Sequence, residues 1–373
     1  MTKDSLKLLF AGDFCAYAPE ILTMGNELQG IINGCDLNLL NFEGPLQRGQ
    51  LHAAGTHFLK QSELSPQWCI EHGFNIIGLA NNHAYDFGEE GLEATKASFK
   101  NVATIGCGLW DEVYSVRYIE LKGKRLGFFA VTSADLSSLK DKWTDWGKCG
   151  CAWINHGSIE NIIREAKKEC DYLFVLPHAG VEFMDVPLPE WRDRYYILID
   201  AGADAIIASH PHVPQGWETY HGKPIFYSLG NFVFDKGVQA KQSHWNNGIV
   251  VCLEISDNLL TVKTYAIILQ NHCVDIDHSK DCLGHINNIC SILHEEDKYM
   301  SKVNECVLYM YSKYEDWLIS GLCRPLYLSS WYRTIRTWIM CRKNKRIALH
   351  QLREESTRWT LIRAYKLLSN TDL

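Results

Sequence analysis

The sequence lacks several features that would define its class at once. Its 373 residues contain no apolar run near the length of about 18 residues that a membrane-spanning helix needs. The first residues, MTKDSLKLLFAGDF, lack the long apolar segment of an export signal. No internal repeat is visible, which argues against a solenoid. We therefore expect a cytoplasmic protein, with membrane association left open.

The 14 cysteines do not form the paired CxxC motifs of a zinc finger. The nearest arrangement is Cys149-Gly150-Cys151. In the absence of an export signal, we interpret the cysteines as reduced thiols that mostly serve as small core residues. A thiol-redox or zinc site at 149–151 is the alternative, but a single C-x-C motif carries little information.

The chain as a whole lacks an excess of positive charge, since its net charge is −7. This balance and the absence of a binding motif predict no nucleic-acid partner. Residues 321–373 differ, with 11 lysines and arginines against three acidic residues, and the stretch 329–355 mixes tryptophans with these cations. One interpretation is a helix packed on the protein through its aromatic side chains. The other is peripheral contact of 321–373 with an anionic membrane surface.

Hydrophobic residues make up 46% of the chain and charged residues 22%, as in ordinary globular proteins. Up to about residue 275, short apolar runs alternate with amphipathic segments, which is typical of a layered α/β domain. The run 114–133 reads as a hairpin around Lys122-Gly123, and 224–234 and 248–255 read as two later strands. The pattern then becomes helical. We predict a domain at 1–275 followed by a basic, tryptophan-rich helical extension at 276–373.

Five apolar runs each end in a polar residue that can bind a metal. The runs are 7–13, 36–43, 74–83, 171–178 and 203–210, and their terminal polar residues are Asp13, Glu43, Asn82 with His83, His178, and His210 with His212. In layered α/β proteins, ligands bind beyond the carboxyl ends of the strands, so we expect these residues to meet at one edge of the sheet. Carboxylates, an amide oxygen and imidazoles suit one or two divalent ions such as Mn, Fe or Zn, and leave one imidazole as a proton donor.

Each of these residues also has a purely structural interpretation. Asp13 could cap a turn, Glu43 could be a solvated turn residue, Asn82 could form an Asx-turn, and His178 could be a hydrogen-bonded core histidine. The metal site is favoured because the five coincidences occur together and a His-Pro-His motif follows the last strand.

The same residues lie in motifs that resemble the CapA family of capsule-synthesis proteins from poly-γ-glutamate systems. The motifs are GD at 12–13, NFEGPL at 41–46, NNHAYDFGEEGL at 81–92, PHAGVE at 177–182, SHPHVPQ at 209–215 and YSLGNFVFD at 227–235. The resemblance implies an α/β fold similar to the calcineurin-like metallophosphatases. That fold is a four-layer sandwich of two mixed β-sheets flanked by helices, here with a C-terminal helical extension.

The resemblance also implies a role for each residue. Asp13 and His212 would bind the first metal, Glu43 would bridge both metals, and Asn82, His178 and His210 would bind the second. His83 would be the catalytic acid that protonates a leaving oxygen. Three further residues, Asp86, Glu182 and Asn231, would orient the ligands. Asn81 would brace the loop.

One position departs from the phosphatase pattern, which has a histidine two residues after the first aspartate. Here Cys15 occupies that place. Three alternatives follow: a thiolate ligand that favours zinc, a weakly held first ion, or a site with a single ion.

The sequence therefore predicts a CapA-like capsule biosynthesis protein with a metallophosphoesterase-type site. We expect a metal-dependent hydrolase that acts on a phosphoester or, less favoured, on a γ-glutamyl amide. The alternative is a non-catalytic binding module that serves as an accessory factor in assembling an anionic polymer at the membrane surface.

Overall fold

The computed structural model describes residues 5–52, 58–143, 145, 147–235, 243–279, 281–322 and 353–369. Within these ranges the chain forms two large β-sheets and a set of helices. The basic stretch discussed above lies almost entirely outside the described residues.

The larger sheet has nine strands and mixes parallel with antiparallel pairing. Eight of its strands follow each other in the spatial order β2 (Thr23–Met24), β17 (Cys273–Ile276), β16 (Leu259–Gln270), β15 (Asn247–Ser256), β1 (Leu6–Cys15), β3 (Leu37–Phe42), β4 (Ile76–Gly78) and β5 (Ala103–Ile105). The ninth strand, β14 (Asn231–Phe234), pairs in parallel with the carboxyl end of β1. Strand β1 therefore lies at the centre of this sheet.

The smaller sheet has six strands and is also mixed. In spatial order they are β12 (Trp217–Tyr220), β13 (Lys223–Phe226), β11 (Ala205–Ile207), β10 (Tyr172–His178), β7 (Lys124–Thr132) and β6 (Arg117–Leu121). A separate short pair consists of β8 (Ser138–Leu139) and β9 (Cys151–Ala152). All seven residues of β10 are buried, as expected for a parallel strand covered on both faces.

The described residues contain one 3₁₀ turn, Pro19–Ile21, and nine α-helices. They are α1 (Asn26–Asn33), α2 (Ser65–Glu71), α3 (Gly88–Ser98), α4 (Trp110–Val113), α5 (Ile159–Glu169), α6 (Pro189–Ala201), α7 (Asp281–Leu293), α8 (Glu296–Leu322) and α9 (Glu355–Ser369). In α5, the buried residues Ile159, Ile163 and Ala166 recur at helical spacing and face the smaller sheet.

The two sheets pack face to face with helices outside them. Phe10 of the larger sheet contacts Phe174 of the smaller sheet, with ring centroids 5.6 Å apart. Leu28 of α1 and Trp68 of α2 belong to the same buried cluster. A second cluster lies between the other face of the smaller sheet and helices α5, α6, α8 and α9. The predicted architecture of two mixed sheets flanked by helices is confirmed.

The hairpin around Lys122-Gly123 is confirmed. Both turn residues have positive φ angles, 49° and 71°, which is the two-residue turn that matches the twist of antiparallel strands.

Two strand predictions need correction. The run 224–234 is not one strand, because the chain turns at Gly230 (φ 68°) and contributes β13 to the smaller sheet and β14 to the larger one. The five strands that end in polar residues also do not share one sheet. Strands β1, β3 and β4 belong to the larger sheet and β10 and β11 to the smaller one. Their ends meet because the sheets face each other.

Most of the described residues after 275 belong to the helices α7, α8 and α9, and β17 ends at Ile276. Helices α8 and α9 bury apolar residues such as Val303 and Leu361 in the cluster of the smaller sheet. The division of the chain at residue 275 stays a prediction. Among the described residues, no helix combines the length and the apolar character needed to cross a membrane.

Candidate metal centre

A bulge in β1 places Asp13 at the centre of the site. The pairing of β1 with β3 shifts register between Ala11 and Asp13, so Gly12 is the extra residue. A Cβ atom on Gly12 would lie 1.9 Å from the carbonyl oxygen of Gly230, which explains why a glycine stands there. The Asp13 carboxylate is fully buried and accepts hydrogen bonds from the side-chain amide of Asn41 (2.6 Å) and the backbone N–H of His210 (3.1 Å).

Asp13, Glu43 and His212 form one group of potential ligands. Each offers one atom, and these atoms all lie within 4.8 Å of one another. His212 Nδ1 is 3.6 Å from Asp13 Oδ2, and His212 Nε2 is 3.7 Å from Glu43 Oε1. All three side chains are buried. This group could bind a metal ion.

A second convergence surrounds Nε2 of His178. This nitrogen lies 2.9 Å from Asn82 Oδ1, 3.2 Å from His210 Nδ1 and 3.8 Å from Glu43 Oε1. Glu43 thus lies beside both groups. The other ring nitrogen of His210, Nε2, is buried and has no hydrogen-bond partner among the described residues. The six predicted ligands are therefore brought together by the fold.

The two histidines of the His-Pro-His motif have unusual backbone conformations. The φ angle is 105° for His210 and 62° for His212, a region that non-glycine residues seldom adopt. Pro211 between them is held by neighbours: its carbonyl accepts the N–H of Phe183 (2.9 Å), and Gly180 packs against its ring. Strain of this kind tends to occur where side chains must be aimed at a functional site.

Burial keeps these imidazoles neutral. Burial and the neighbouring imidazoles hold the pKa of His178 and of His210 well below the usual range. Burial also lowers the pKa of His212, to about 4, although the hydrogen bond that Asn231 Oδ1 accepts from this ring acts in the other direction. Neutral imidazoles have the free lone pair that a metal needs.

The buried carboxylate of Asp13 also suits a bound cation. Burial raises the pKa of Asp13 to about 7, although its hydrogen bonds with His210 and Asn41 oppose the shift. A nearby cation would favour the ionised form of the carboxylate. Oxygen and imidazole nitrogen donors of this kind suit Mn, Fe or Zn. The residues present therefore fit a divalent ion.

His83 lies beside the cluster but, unlike the ligand histidines, is partly exposed and has a raised pKa. Its side chain is 16% exposed, and Nδ1 lies 2.7 Å from Oδ2 of Asp86. Burial lowers the pKa of His83, but the negative charge and hydrogen bond of Asp86, with smaller contributions from Asp135 and Glu182, outweigh it and raise the pKa. This environment favours the protonated ring, as a proton donor requires.

The residues predicted to orient ligands lie in three different places. Asp86 contacts His83 and also accepts the N–H of Leu59 (2.8 Å). Asn231 Oδ1 is 2.9 Å from His212 Nδ1, and its amide donates to the carbonyl of Trp245 (2.9 Å). Glu182 is half-buried, and its charge contributes to the raised pKa of His83.

Asn81 links the two loops that follow β3 and β4. Its side chain accepts the N–H of Gly44 (3.3 Å) and donates to the carbonyl of Phe42 (2.9 Å). The loop that carries Asn82 and His83 is thereby tied to the loop that carries Glu43.

Among the described residues, no cysteine forms a disulfide. Cys15 is buried in a small apolar cluster with Leu59, Phe234 and Trp245, which favours a packing role. Cys149 Sγ donates to Glu93, and Cys151 Sγ donates to the carbonyl of Leu79. Both belong to the main buried cluster, which favours the core interpretation of the C-x-C motif.

Sequence reasoning missed Asn41. Its side-chain nitrogen lies 2.6 Å from Asp13 Oδ1 and 3.1 Å from His178 Nδ1, so it joins a ligand of each group. A signal was present, because residues i and i+2 of a strand point to the same face and Asn41 precedes Glu43 by two.

The comparisons with known proteins agree with this geometry. A model of the family described as bacterial capsule synthesis protein PGA_cap matches residues 15–236. The chain belongs to this family. The matched range contains Glu43, Asn82, His178, His210 and His212, and it begins two residues after Asp13.

Two curated relatives are each 32% identical to this chain over the residues that align. The PGA biosynthesis protein CapA of Bacillus subtilis matches over 219 residues, 56% of this chain and 56% of that protein. The capsule biosynthesis protein CapA of Bacillus anthracis matches over 211 residues, 53% of this chain and 50% of that protein. The chain thus spans about half the length of these relatives.

A solved structure of a Staphylococcus aureus protein assigned as a 5′-nucleotidase also aligns. The alignment covers 78% of this chain and 59% of that chain, with a TM-score of 0.45 and 15% identity.

Proposed function

We propose that this chain is a metal-dependent hydrolase in the biosynthesis of poly-γ-glutamate or a related anionic capsule polymer. The observation that carries the proposal is the buried group of carboxylates and imidazoles at the ends of β1, β3 and β10. Burying these groups is costly unless they hold a cation. Membership of the PGA_cap family and the names of the two Bacillus relatives support the capsule context.

In this proposal the site holds one or two ions of Mn, Fe or Zn. Asp13, Glu43 and His212 would hold one ion, and Glu43 would reach the second. Asn82, His178 and His210 would hold that second ion. Divalent ions in such sites lower the pKa of a bound water and neutralise charge on the substrate.

The chain's own side chains supply the remaining chemistry. His83, protonated at the edge of the cluster, donates a proton to the departing oxygen. Asp86 fixes the orientation of that ring through Nδ1, leaving Nε2 for the substrate. Asn41 and Asn231 hold the rings of His178 and His212.

The substrate we propose is a phosphoester, with a γ-glutamyl amide as the second choice. The test is to strip the purified protein of metal, reload it with Mn, Fe or Zn, and measure bound metal by elemental analysis. The same preparations are then assayed against phosphomonoesters, phosphodiesters and γ-glutamyl peptides. Turnover that requires the metal and disappears in Glu43→Gln supports the proposal. Bound metal with no turnover of any of these compounds would contradict hydrolysis.

A second candidate function rests on the charge of residues 321–373. This segment contains 11 lysines and arginines but only three acidic residues. In this version the chain is a non-catalytic accessory factor whose metal site binds carboxylate-rich polymer and whose basic tail contacts an anionic membrane surface. The protein would act in the cytoplasm, next to that surface. Binding of poly-γ-glutamate that requires metal but leaves the polymer uncut would favour this candidate.

A further inference from the structure

The first turn of the C-terminal helix α9 is inserted into the main body of the protein. Glu355, its first residue, is only 2% exposed although it carries a charge. Its carboxylate accepts hydrogen bonds from the backbone N–H of Ala134 (2.9 Å), from Trp153 Nε1 (3.0 Å) and from Asn155 Nδ2 (2.8 Å). Three donors compensate the buried charge, so this is a specific contact.

The next residue makes a second specific contact. The hydroxyl of Ser356 donates to the carbonyl of Gly180 and accepts a hydrogen bond from Trp191 Nε1 (3.0 Å). Ser356 is also 2% exposed. Two consecutive residues of α9 thus bond to two different loops, one after β7 and one after β10.

Both loops lie next to His178. Gly180 is two residues beyond His178 on the chain. In the other loop, Ser133 donates its N–H to the carbonyl of His178 (3.2 Å), and Ser137 Oγ donates to the carbonyl of Asn81 (2.8 Å). Ala134, which Glu355 holds, lies between Ser133 and Ser137. The contacts of α9 therefore reach His178 within two residues, through Ser133 and Gly180, and reach Asn82 by a longer path through Ser137 and Asn81.

We propose that Glu355 and Ser356 are positioning residues of the metal centre. The C-terminal helix α9 would thus help to hold the metal ligands in place. The inference rests on the proposed metal binding of His178 and Asn82. Glu355 holds the loop after β7 and Ser356 holds the loop after β10, so together they set the distance between the two ligands. Metal affinity then depends on a helix more than 140 residues away in the sequence.

The test uses Glu355→Gln and Ser356→Ala in the full chain, with Arg363→Ala as a matched control. Arg363 lies on the same helix and pairs with Glu190 (2.9 Å), a contact outside both loops. Zn²⁺ and Mn²⁺ affinity is measured by titration of the metal-free proteins. Thermal unfolding is recorded with and without each ion at one fixed ion concentration, because an ion that binds the folded protein more tightly raises the melting temperature more.

We expect the two positioning variants to bind metal about tenfold more weakly, the lower end of the range for residues that orient ligands. Their melting temperature should rise less on metal addition than that of the wild type. Arg363→Ala should be less stable in both states but keep wild-type affinity. Ser356→Ala removes one hydroxyl and serves as the decisive variant if Glu355→Gln does not fold.

Two outcomes would overturn the inference in distinguishable ways. If the wild type binds metal and both positioning variants bind it equally well, α9 only packs against the domain. If the wild type binds neither ion, the proposed function fails and this inference fails with it.

Discussion

Two side chains, Asn41 and Asp86, govern which nitrogen of a neighbouring histidine carries the proton. Asn41 Nδ2 faces Nδ1 of His178, which leaves the proton of that ring on Nε2, next to Asn82 Oδ1. A metal at Nε2 would displace this proton to Nδ1, and the Asn41 amide would then have to present its oxygen. Asp86 instead accepts from Nδ1 of His83 and stabilises its charged form. At the residue scale, Asn41 therefore orients the neutral ring of His178, whereas Asp86 stabilises the charged ring of His83.

The exchange His83→Asn separates proton donation from metal binding. We expect the variant to fold and to keep its metal, because His83 is not among the proposed ligands. Hydrolysis should slow by about 10²–10⁴-fold, equivalent to roughly 3–5 kcal/mol of barrier. The loss should be smallest for nitrophenyl phosphates, whose leaving group needs little protonation, and largest for alkyl phosphates. An equal loss for both classes would contradict the role of His83 as an acid.

The exchanges Asn82→Ala and His178→Ala should each remove a ligand of the same ion. Both proteins should fold but contain less metal than the wild type by elemental analysis. Cys15→Ser is the control, since Cys15 packs in an apolar cluster and should affect metal content little. Unchanged metal in both alanine variants would refute the ligand assignment. A loss of zinc in folded Cys15→Ser would instead make Cys15 a ligand.

At the scale of elements, the site depends on how strands end and how closely they approach. The bulge at Gly12 turns the carboxyl end of β1 from pairing with β15 to pairing with β14, and it brings Asp13 beside Asn231. The Asp13 N–H donates to the carbonyl of Gly230 (3.0 Å) at this junction. A close backbone contact, and not a side chain, therefore sets the position of the first ligand.

Two alanine substitutions test this contact. Gly12→Ala would place a Cβ 1.9 Å from the carbonyl oxygen of Gly230, and we expect it to lower the free energy of unfolding by about 1–3 kcal/mol or more. Gly30→Ala is the control, because Gly30 is an exposed position of helix α1 and a Cβ there meets no atom within 4 Å. That variant should gain about 0.4–1 kcal/mol. Urea unfolding of the two proteins measures both effects, and equal stabilities would contradict the role of the bulge.

At the scale of the whole molecule, the C-terminal helices are joined to the smaller sheet. Trp359 of α9 contacts Trp191 of α6 edge-on, with ring centroids 4.9 Å apart, and Ala364 is fully buried. Deletion of residues 321–373 would remove these contacts together with the basic stretch. Charge exchange within the basic stretch is therefore the better test of membrane contact.

Full-length protein should sediment with anionic liposomes at low salt if the basic stretch contacts membranes. Raising the salt should release it, because the Debye length falls to about 8 Å at physiological ionic strength. A variant with Arg342, Lys343, Lys345 and Arg346 changed to glutamine should stay in solution. Liposomes of neutral lipid are the control. Failure of the wild type to sediment at low salt would leave the packing interpretation of the tail.

The sequence by itself determined the five strands that lead into the site, the hairpin at Lys122-Gly123 and the polar residues that end those five apolar runs, because these are local patterns of period and turn chemistry. It also carried the motifs from which the family was inferred. Only the tertiary structure decided that the five strands divide between two facing sheets, that Asn41 joins Asp13 to His178, and that Glu355 of α9 bonds to the loop after β7. Each of these depends on contacts between distant parts of the chain, which are set by packing and hydrogen bonding and leave no periodic signal in the sequence.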